Sequence, residues 1–495
     1  MSTSQAEKLK VSTGKAFKCF IQVAAGPFAF LLVQMIPVAG LKPEGHFALS
    51  TFAWVLAWWV LQPIPWAITG FLPMVLFPFG GALPFQDTVT LSGQRILPFL
   101  LGVMLFGHAF EKHGLARRIA VKILSIPGVA TSGNRLVLMI MTVSALVSSM
   151  VDDAATAAMM MPIAMSVAKF AGDSYAKTSR TTGGAPRLLE ASALAVLYGS
   201  AAGGMATPAG VPFNPLSISL LDQLTGYKIN FAQWTLTGVI LAAATIPFYY
   251  LTLLFMSSPE VKSIADGASY FKEEQKSLGP MTRGEKNILF VLIVMIVLWF
   301  LPAMFAIRGL DIWIVPAVGM LLLFLLPVDT RKGEMTLTSK DFQTGVAWNV
   351  LFLVVSGGAI AVSLTRLGVT DWFGGLVRSG VSGGILPWFA GAVTNVISHF
   401  TSGGVAATTM VATILFPIAN QLGYNPAILA RIIPGAALAI CFPWAGAASA
   451  TVFAYGVLSF RSMLKIGIVA TILVTTVTIV LSMILVPALG AYTAP

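Results

Sequence analysis

The sequence predicts an all-α, polytopic membrane protein, and three observations carry that prediction. Hydrophobic residues make up 57% of the 495 and charged residues only 10%, where soluble domains carry about 25% charged residues. Apolar runs of about 20 residues, the length that crosses a hydrocarbon core of roughly 30 Å, recur from end to end. Lysine and arginine are also distributed by loop, as a membrane topology requires. A soluble chain of this length would split into several cores joined by polar linkers, and no such alternation occurs.

Taken in order, single crossings are predicted near 19–40, 46–63, 66–85, 95–112, 188–222, 233–256, 288–306, 310–327, 347–365, 427–459 and 463–489. These are about eleven transmembrane helices. The first 18 residues are polar, with Lys8, Lys10, Lys15 and Lys18 among them, and lack a small-residue cleavage site, so no removable signal peptide is expected. Two further apolar stretches, 134–168 and 385–420, are too long for one crossing and are interrupted midway. The first breaks at Val151-Asp152-Asp153 and the second at Thr401-Ser402-Gly403-Gly404. Both read as re-entrant hairpins that enter and leave on one side.

With the N-terminus cytoplasmic, the inner segments hold 23 of the 30 Lys and Arg residues. The outer side keeps Lys42, Arg95, Lys228, Arg308, Arg366, Arg378 and Arg431. Counting 134–168 as a full crossing would collapse this asymmetry. The layout implies a multi-pass protein of the plasma (inner) membrane with its C-terminus outside. The net charge of +11 is then topology, and nucleic-acid binding is excluded as its explanation. Two cysteines, Cys19 and Cys441, each within an apolar run, build neither a disulfide framework nor a metal cluster. No cofactor is implied.

The polar stretch at 257–287 divides the chain into repeats, 1–256 and 288–495. "FEKHGLARRI" from Phe110 resembles "LTRLGVTDWF" from Leu364, pairing Gly114 with Gly368. "MMMPIA" ending at Ala164 matches "ILFPIA" ending at Ala419. Each hairpin precedes a span broken by small residues, "GGMATPAGVPFNP" at 203–215 and "FPWAGAASA" at 442–450. One copy starts inside and the other outside, so the repeat is inverted. Inverted repeats with interrupted helices point to a secondary transporter whose site lies near the midplane. Irregular backbone at that depth survives only beside protein or a water-filled cavity.

The ordered set "FEKHGLARRIA", "DDAATAAMMMPIA" and "ATPAGVPFNP" resembles the divalent anion/sodium symporter family, the INDY-like dicarboxylate carriers, over essentially the whole chain. The resemblance implies eleven spans, two re-entrant hairpins and a homodimer in the lipid bilayer. It also implies a scaffold (spans 1–4 and 7–9) against which the hairpins and broken spans move as an elevator. The implied substrates are four- to six-carbon di- or tricarboxylates such as succinate, malate, 2-oxoglutarate or citrate.

That family usually carries Ser-Asn-Thr at both hairpin tips, for sodium and for substrate carboxylates. Here the first tip reads Asp152, Asp153 and Ala154. The second reads Ser402, Gly403 and Gly404 if matched by turn-forming glycines, or Ala407, Thr408 and Thr409 if counted back from Pro417. Neither tip has Asn. The family's T-P-P-N element stands as Val211-Pro212-Phe213-Asn214, and its second copy as Gly446-Ala447-Ala448-Ser449. Substrate-lining candidates are therefore Asp152, Asp153, Ala154, Thr207, Val211, Pro212, Asn214, Ser402, Gly403, Gly404, Thr408, Thr409, Gly446 and Ala447, the anion being met by helix N-termini and close backbone.

His399, three residues before Ser402, joins them as a protonatable donor, against the plainer reading of a satisfied buried polar group. Asp152 and Asp153 either cap the second hairpin arm or bind a cation, because a buried carboxylate must be paired, coordinated or protonated. An intramembrane aspartyl protease needs two aspartates facing each other from different helices, and adjacent ones sit about 100° apart. A channel would need a continuous lined pore. Loss of Asn at both tips favours a sodium-independent dicarboxylate exchanger, an antiporter; the alternative is a sodium- or proton-coupled symporter using Asp152 and Asp153.

Overall fold

In a computed structural model the chain is almost wholly helical. It describes residues 3–92, 95–126, 128, 131–179, 185–264, 267–305, 311–377, 384–401, 403–438 and 440–489. The helices α1 (Thr3–Met35) and α2 (Pro43–Leu61) run antiparallel, tied by Gln22 to the Leu61 carbonyl, Trp58 to the Val23 carbonyl and His46 Nε2 against the Val33 carbonyl. The crossing expected at 66–85 is two short helices, α3 (Trp66–Thr69) and α4 (Leu72–Phe79). Pro73 in the first turn of α4 suits a helix start and not a helix interior. Then follow α5 (Phe85–Ser92) and α6 (Ile96–Lys112).

The chain leaves α6 through Gly114 (φ 75) into α7 (Leu115–Leu124), and leaves a later helix through Gly368 (φ 74) into another short one. These are the two glycines that the internal repeat pairs. Both take the left-handed conformation that ends helices, which L side chains adopt only with strain.

The first interrupted stretch forms α8 (Gly133–Ser148) and α9 (Asp153–Ser179), breaking where the sequence predicts. Next come α10 (Pro186–Gly204) and α11 (Phe213–Thr225), the two pieces of one broken helix, and α12 (Phe231–Met256), which opens on an Asn230/Gln233 capping box. Small residues bring α10 close to α8. A Cβ at Gly203 would lie 2.0 Å from the Ala145 carbonyl oxygen, so only glycine fits, as is usual where membrane helices pack backbone to backbone.

The polar segment carries α13 (Gly267–Ser277). Glu260 accepts from the Arg187 and Leu188 N–H groups (2.8 and 3.0 Å), capping α10. Gly133 N–H donates to the Val261 carbonyl and Ile264 N–H to the Thr131 carbonyl. Tyr270 stacks on Phe170 of α9, with centroids 4.1 Å apart, while Arg118 donates to the carbonyls of Leu278, Gly279 and Pro280 and to Glu285. Burial raises the Glu285 carboxyl, but the Arg118 and Thr282 hydrogen bonds outweigh it and hold the group below its ordinary range.

The second half comprises α14 (Arg283–Phe305), α15 (Val315–Leu325), a two-stranded antiparallel hairpin of β1 (Pro327–Asp329) and β2 (Glu334–Met335), α16 (Ser339–Thr344) and α17 (Trp348–Arg366). After Gly368 come α18 (Val369–Val377), α19 (Leu386–Phe400), α20 (Gly404–Gln421), α21 (Pro426–Ala436), α22 (Ala447–Ala454) and α23 (Phe460–Ala488). Seven helical stretches among the described residues are long and apolar enough to cross a membrane. The span expected at 310–327 is the 11-residue α15; 306–310 lie outside the described residues.

The halves are interleaved. In the first half, α11 packs on α20 of the second interrupted pair, and α22 packs on α9 of the first. The second piece of each broken helix therefore rests on the opposite interrupted pair. That crossing builds the site.

Candidate functional site: a cavity at four helix N-termini

Four helices begin at one place. A cavity of about 150 Å³ is lined by Asp152, Asp153 and Ala154 at the start of α9, Pro212 and Phe213 at α11, Gly403, Gly404 and Val405 at α20, and Ala445, Gly446 and Ala447 at α22. Each helix N-terminus presents N–H groups without intrahelical partners and the positive end of its dipole. At α9 one donor is taken, since Ala154 N–H gives to Asp152 Oδ1 at 3.1 Å. The caps of the other three, Pro212, Gly403 and Gly446, make no side-chain hydrogen bond. An uncapped N-terminus is a ready anion site.

Asp152 and Asp153 are half-buried side by side. Among the described residues neither forms an ion pair. Backbone N–H groups at the start of α9 serve both carboxyls, but among the described residues no cationic side chain neutralises either one beside the cavity. Two carboxylates in poorly solvated surroundings call for protons or a cation.

Other predicted residues build the cavity without lining it. Asn214, 1% exposed, gives both amide hydrogens to carbonyls, those of Gly204 and Thr207, each at 2.8 Å. Thr207 gives its hydroxyl to the Ser149 carbonyl at 2.5 Å and receives Ala209 N–H at 3.1 Å. The break after α10 is thus pinned shut on itself and onto the first tip. Val211 lines a neighbouring cavity instead.

Helix α19 ends at Phe400 and α20 begins at Gly404, so the second break falls in the glycine register. Thr408 and Thr409 lie inside α20, fully buried, a full turn past the N-terminus. Thr409 donates to the Val405 carbonyl and packs where a Cβ on Gly357 would stand. Ser402 lies outside the described residues. His399, 5% exposed, has Nδ1 2.7 Å from the Asn395 carbonyl, so that nitrogen carries the proton. Nε2 then accepts Cys441 N–H at 3.3 Å. With both ring nitrogens engaged, His399 shapes the second break; it does not line the cavity.

Two further residues matter here, one silent in the sequence and one read there only as a loop charge. Val350, in the first turn of α17, lines this cavity and two flanking ones, of about 270 Å³ beside the first tip and about 430 Å³ beside the second. A valine in an apolar run is silent in sequence. Arg431 was assigned to the outer charges, yet it is buried in the bundle, 3% exposed, because its guanidinium meets the Met205 carbonyl at 2.5 Å and the Trp234 ring at 4.4 Å.

At the far end of the first flanking cavity, Lys112 Nζ (2.7 Å), His108 Nε2 (3.1 Å) and the Thr338 N–H and hydroxyl (both 2.7 Å) converge on Asp341. Burial pushes this carboxyl up, but those hydrogen bonds outweigh it and hold it well below the usual carboxylate range.

Comparison with known proteins agrees with this architecture. The family model of the sodium:sulfate symporter transmembrane region matches residues 17–491. A sodium-dependent dicarboxylate transporter of Staphylococcus aureus (strain USA300), SdcS, is 27% identical over 463 residues, covering 90% of this chain and 87% of the relative. The protein of the same name from Staphylococcus saprophyticus is 26% identical over 477 residues, covering 93% and 90%. Among solved structures, the Alcanivorax borkumensis YdaH transporter superposes with a TM-score of 0.52 at 14% identity, over 82% of this chain and 86% of that one, a likeness of fold. With 475 of 495 residues inside the family model, the chain is a member of the divalent anion/sodium symporter family.

Proposed function

We propose that this protein is a secondary carrier of four- to six-carbon dicarboxylates, of the succinate, malate and 2-oxoglutarate class, coupled to a cation bound at Asp152 and Asp153. The observation that carries the reading is the convergence of four helix N-termini, three without a side-chain cap, on one cavity beside two carboxylates that have no ion-pair partner among the described residues. The N-termini suit the anion. The carboxylates suit a monovalent cation, which also lowers the cost of bringing a dianion next to them. The relatives' printed names, sodium-dependent dicarboxylate transporters, favour sodium as that cation.

In this reading the repeats 1–256 and 288–495 are inverted, and 257–287 joins them on the cytoplasmic side. The pairs α8–α9 and α19–α20 are re-entrant hairpins. They move with α10–α11 and α21–α22 as an elevator against a scaffold, in a homodimer in the plasma membrane. A second reading, sodium-independent exchange, keeps one specific support: neither tip has the Asn on which the family's sodium sites are centred.

Proteoliposomes separate the two. Labelled succinate uptake into empty vesicles, driven by a sodium or proton gradient and abolished by Asp153→Asn, is the expected result. Equal exchange in sodium and choline buffers, confined to vesicles preloaded with dicarboxylate, would establish exchange and reject coupling.

A further inference from the structure

We propose that Arg431 is a built-in cation of the carrier, a fixed positive charge occupying the carbonyl-lined break at the C-terminal end of α10. This rests on the carrier reading and goes beyond it, because it assigns a charge that never leaves the protein. Among the described residues Arg431 is the one lysine or arginine that is buried. Ionisable groups inside a membrane bundle are expensive and functional as a rule. Its guanidinium reaches from α21, in the second half, to the carbonyl of Met205, the C-cap residue of α10 in the first.

A broken helix leaves carbonyls unpaired at its C-terminal end. That end carries about half a negative charge, and transporters of interrupted-helix design use such ends to hold coupling cations. Here Arg431 takes the Met205 carbonyl, and the Asn214 amide takes those of Gly204 and Thr207. The Trp234 face lies 4.4 Å from the guanidinium carbon, adding a cation–π contact in a dry setting. Space has been made for the charge: a Cβ on Gly238 of α12 would stand 2.3 Å from Arg431 Nη2 and 2.2 Å from the Ala206 carbonyl oxygen.

A guanidinium stays protonated at every physiological pH. The first break is therefore neutralised permanently, whatever the sodium or proton concentration. The mobile cation is left to Asp152 and Asp153 at the tip. The charge also joins the two halves, so both breaks are held in one body.

The test compares Arg431→Lys, Arg431→Gln and Arg431→Ala with the wild-type chain, by thermal unfolding in detergent and by labelled succinate uptake. Guanidinium chloride at low millimolar concentration is the probe. Arg431→Lys keeps uptake within about threefold of wild type, while Arg431→Gln, uncharged and polar, loses at least about tenfold. Guanidinium raises the melting temperature of Arg431→Ala, leaves that of wild type unchanged, and restores part of the uptake.

Arg431→Gln transporting as well as Arg431→Lys would overturn the proposal. So would an Arg431→Ala protein that melts like wild type and ignores guanidinium. Should the alanine variant fail to fold, the lysine and glutamine pair decides. The melting experiment needs no substrate, so a wild-type protein inactive toward succinate would refute the carrier reading while the guanidinium response still judged Arg431.

Discussion

Asn214→Ala should loosen the break that forms the cavity, and the size of the effect follows from two hydrogen bonds. Asn214 is 1% exposed, and its amide serves the Gly204 and Thr207 carbonyls at 2.8 Å each. The Thr207 carbonyl keeps a second donor, Gly210 N–H at 3.3 Å; the Gly204 carbonyl depends on Asn214 more heavily. A buried carbonyl stripped of its donor costs about 1–3 kcal/mol, and polar contacts in membrane bundles average about 0.6 and reach about 1.7 kcal/mol. One carbonyl lost and one weakened gives about 1–3 kcal/mol. Thermal unfolding in detergent reads that loss directly. Because the break positions the N-terminus of α11, the half-saturating succinate concentration for uptake should rise by up to a comparable factor, about 5- to 150-fold. Asn214→Asp should be worse than Asn214→Ala, since it aims carboxylate oxygens at the same two carbonyls. Wild-type melting and affinity in Asn214→Ala, or an aspartate variant milder than the alanine one, would refute the assignment.

Two further outcomes follow from the same geometry. Gly404→Ala should disrupt the second tip far more than Gly403→Ala, because a Cβ on Gly404 would stand 2.5 Å from the Phe213 ring, whereas one on Gly403 meets nothing within 4 Å; equal melting temperatures and affinities would contradict this. Asp341→Asn should destabilise the protein by about 2 kcal/mol at neutral pH by weakening charge-assisted hydrogen bonds. Asp341 has a depressed folded value, so its stabilisation is full above the ordinary 3.8 and is lost as pH falls through that lower value. The gap between wild type and variant in melting experiments should therefore narrow below about pH 4, and a gap that widened there would reverse the sign.

Much of the fold was legible because membrane burial imposes a simple rule on sequence: long apolar runs, punctuated where backbone must bend. Asp152, Gly403 and Gly446 stood out as polar or small residues inside such runs, and the structure brings all three to one cavity. The register of the second tip was open in sequence because Thr408 and Thr409 are as plausible chemically as Gly403; only the helix start at Gly404 settles the turn. His399 and Asn214 drew notice through polarity, yet polarity does not say whether a group faces a ligand or the backbone, and both face backbone. Arg431 was misplaced because the positive-inside rule counts charges near span ends and takes no account of a cation drawn inward by a carbonyl. The split of 66–85 into α3 and α4 follows from its prolines, which hydropathy does not register.

The polar segment between the halves also sets a mechanical limit. One of its ends is bonded beneath α8 and α10 through Val261, Ile264 and Glu260, and the other is gripped by Arg118 at Leu278, Gly279 and Pro280. The 11-residue α13 bridges these anchor points. At 1.5 Å per residue α13 is about 16 Å long, and the 14 steps from Ile264 to Leu278, fully drawn out, would reach about 46 Å. In the elevator reading proposed above, the stroke of the α8–α10 body relative to α7 would be bounded by the slack in this short segment, once the Tyr270–Phe170 stack and the Arg117–Glu274 pair that also hold α13 are released. A carrier with proline placed inside α13 would travel further on a looser leash, and one with α13 stapled would be held to short excursions.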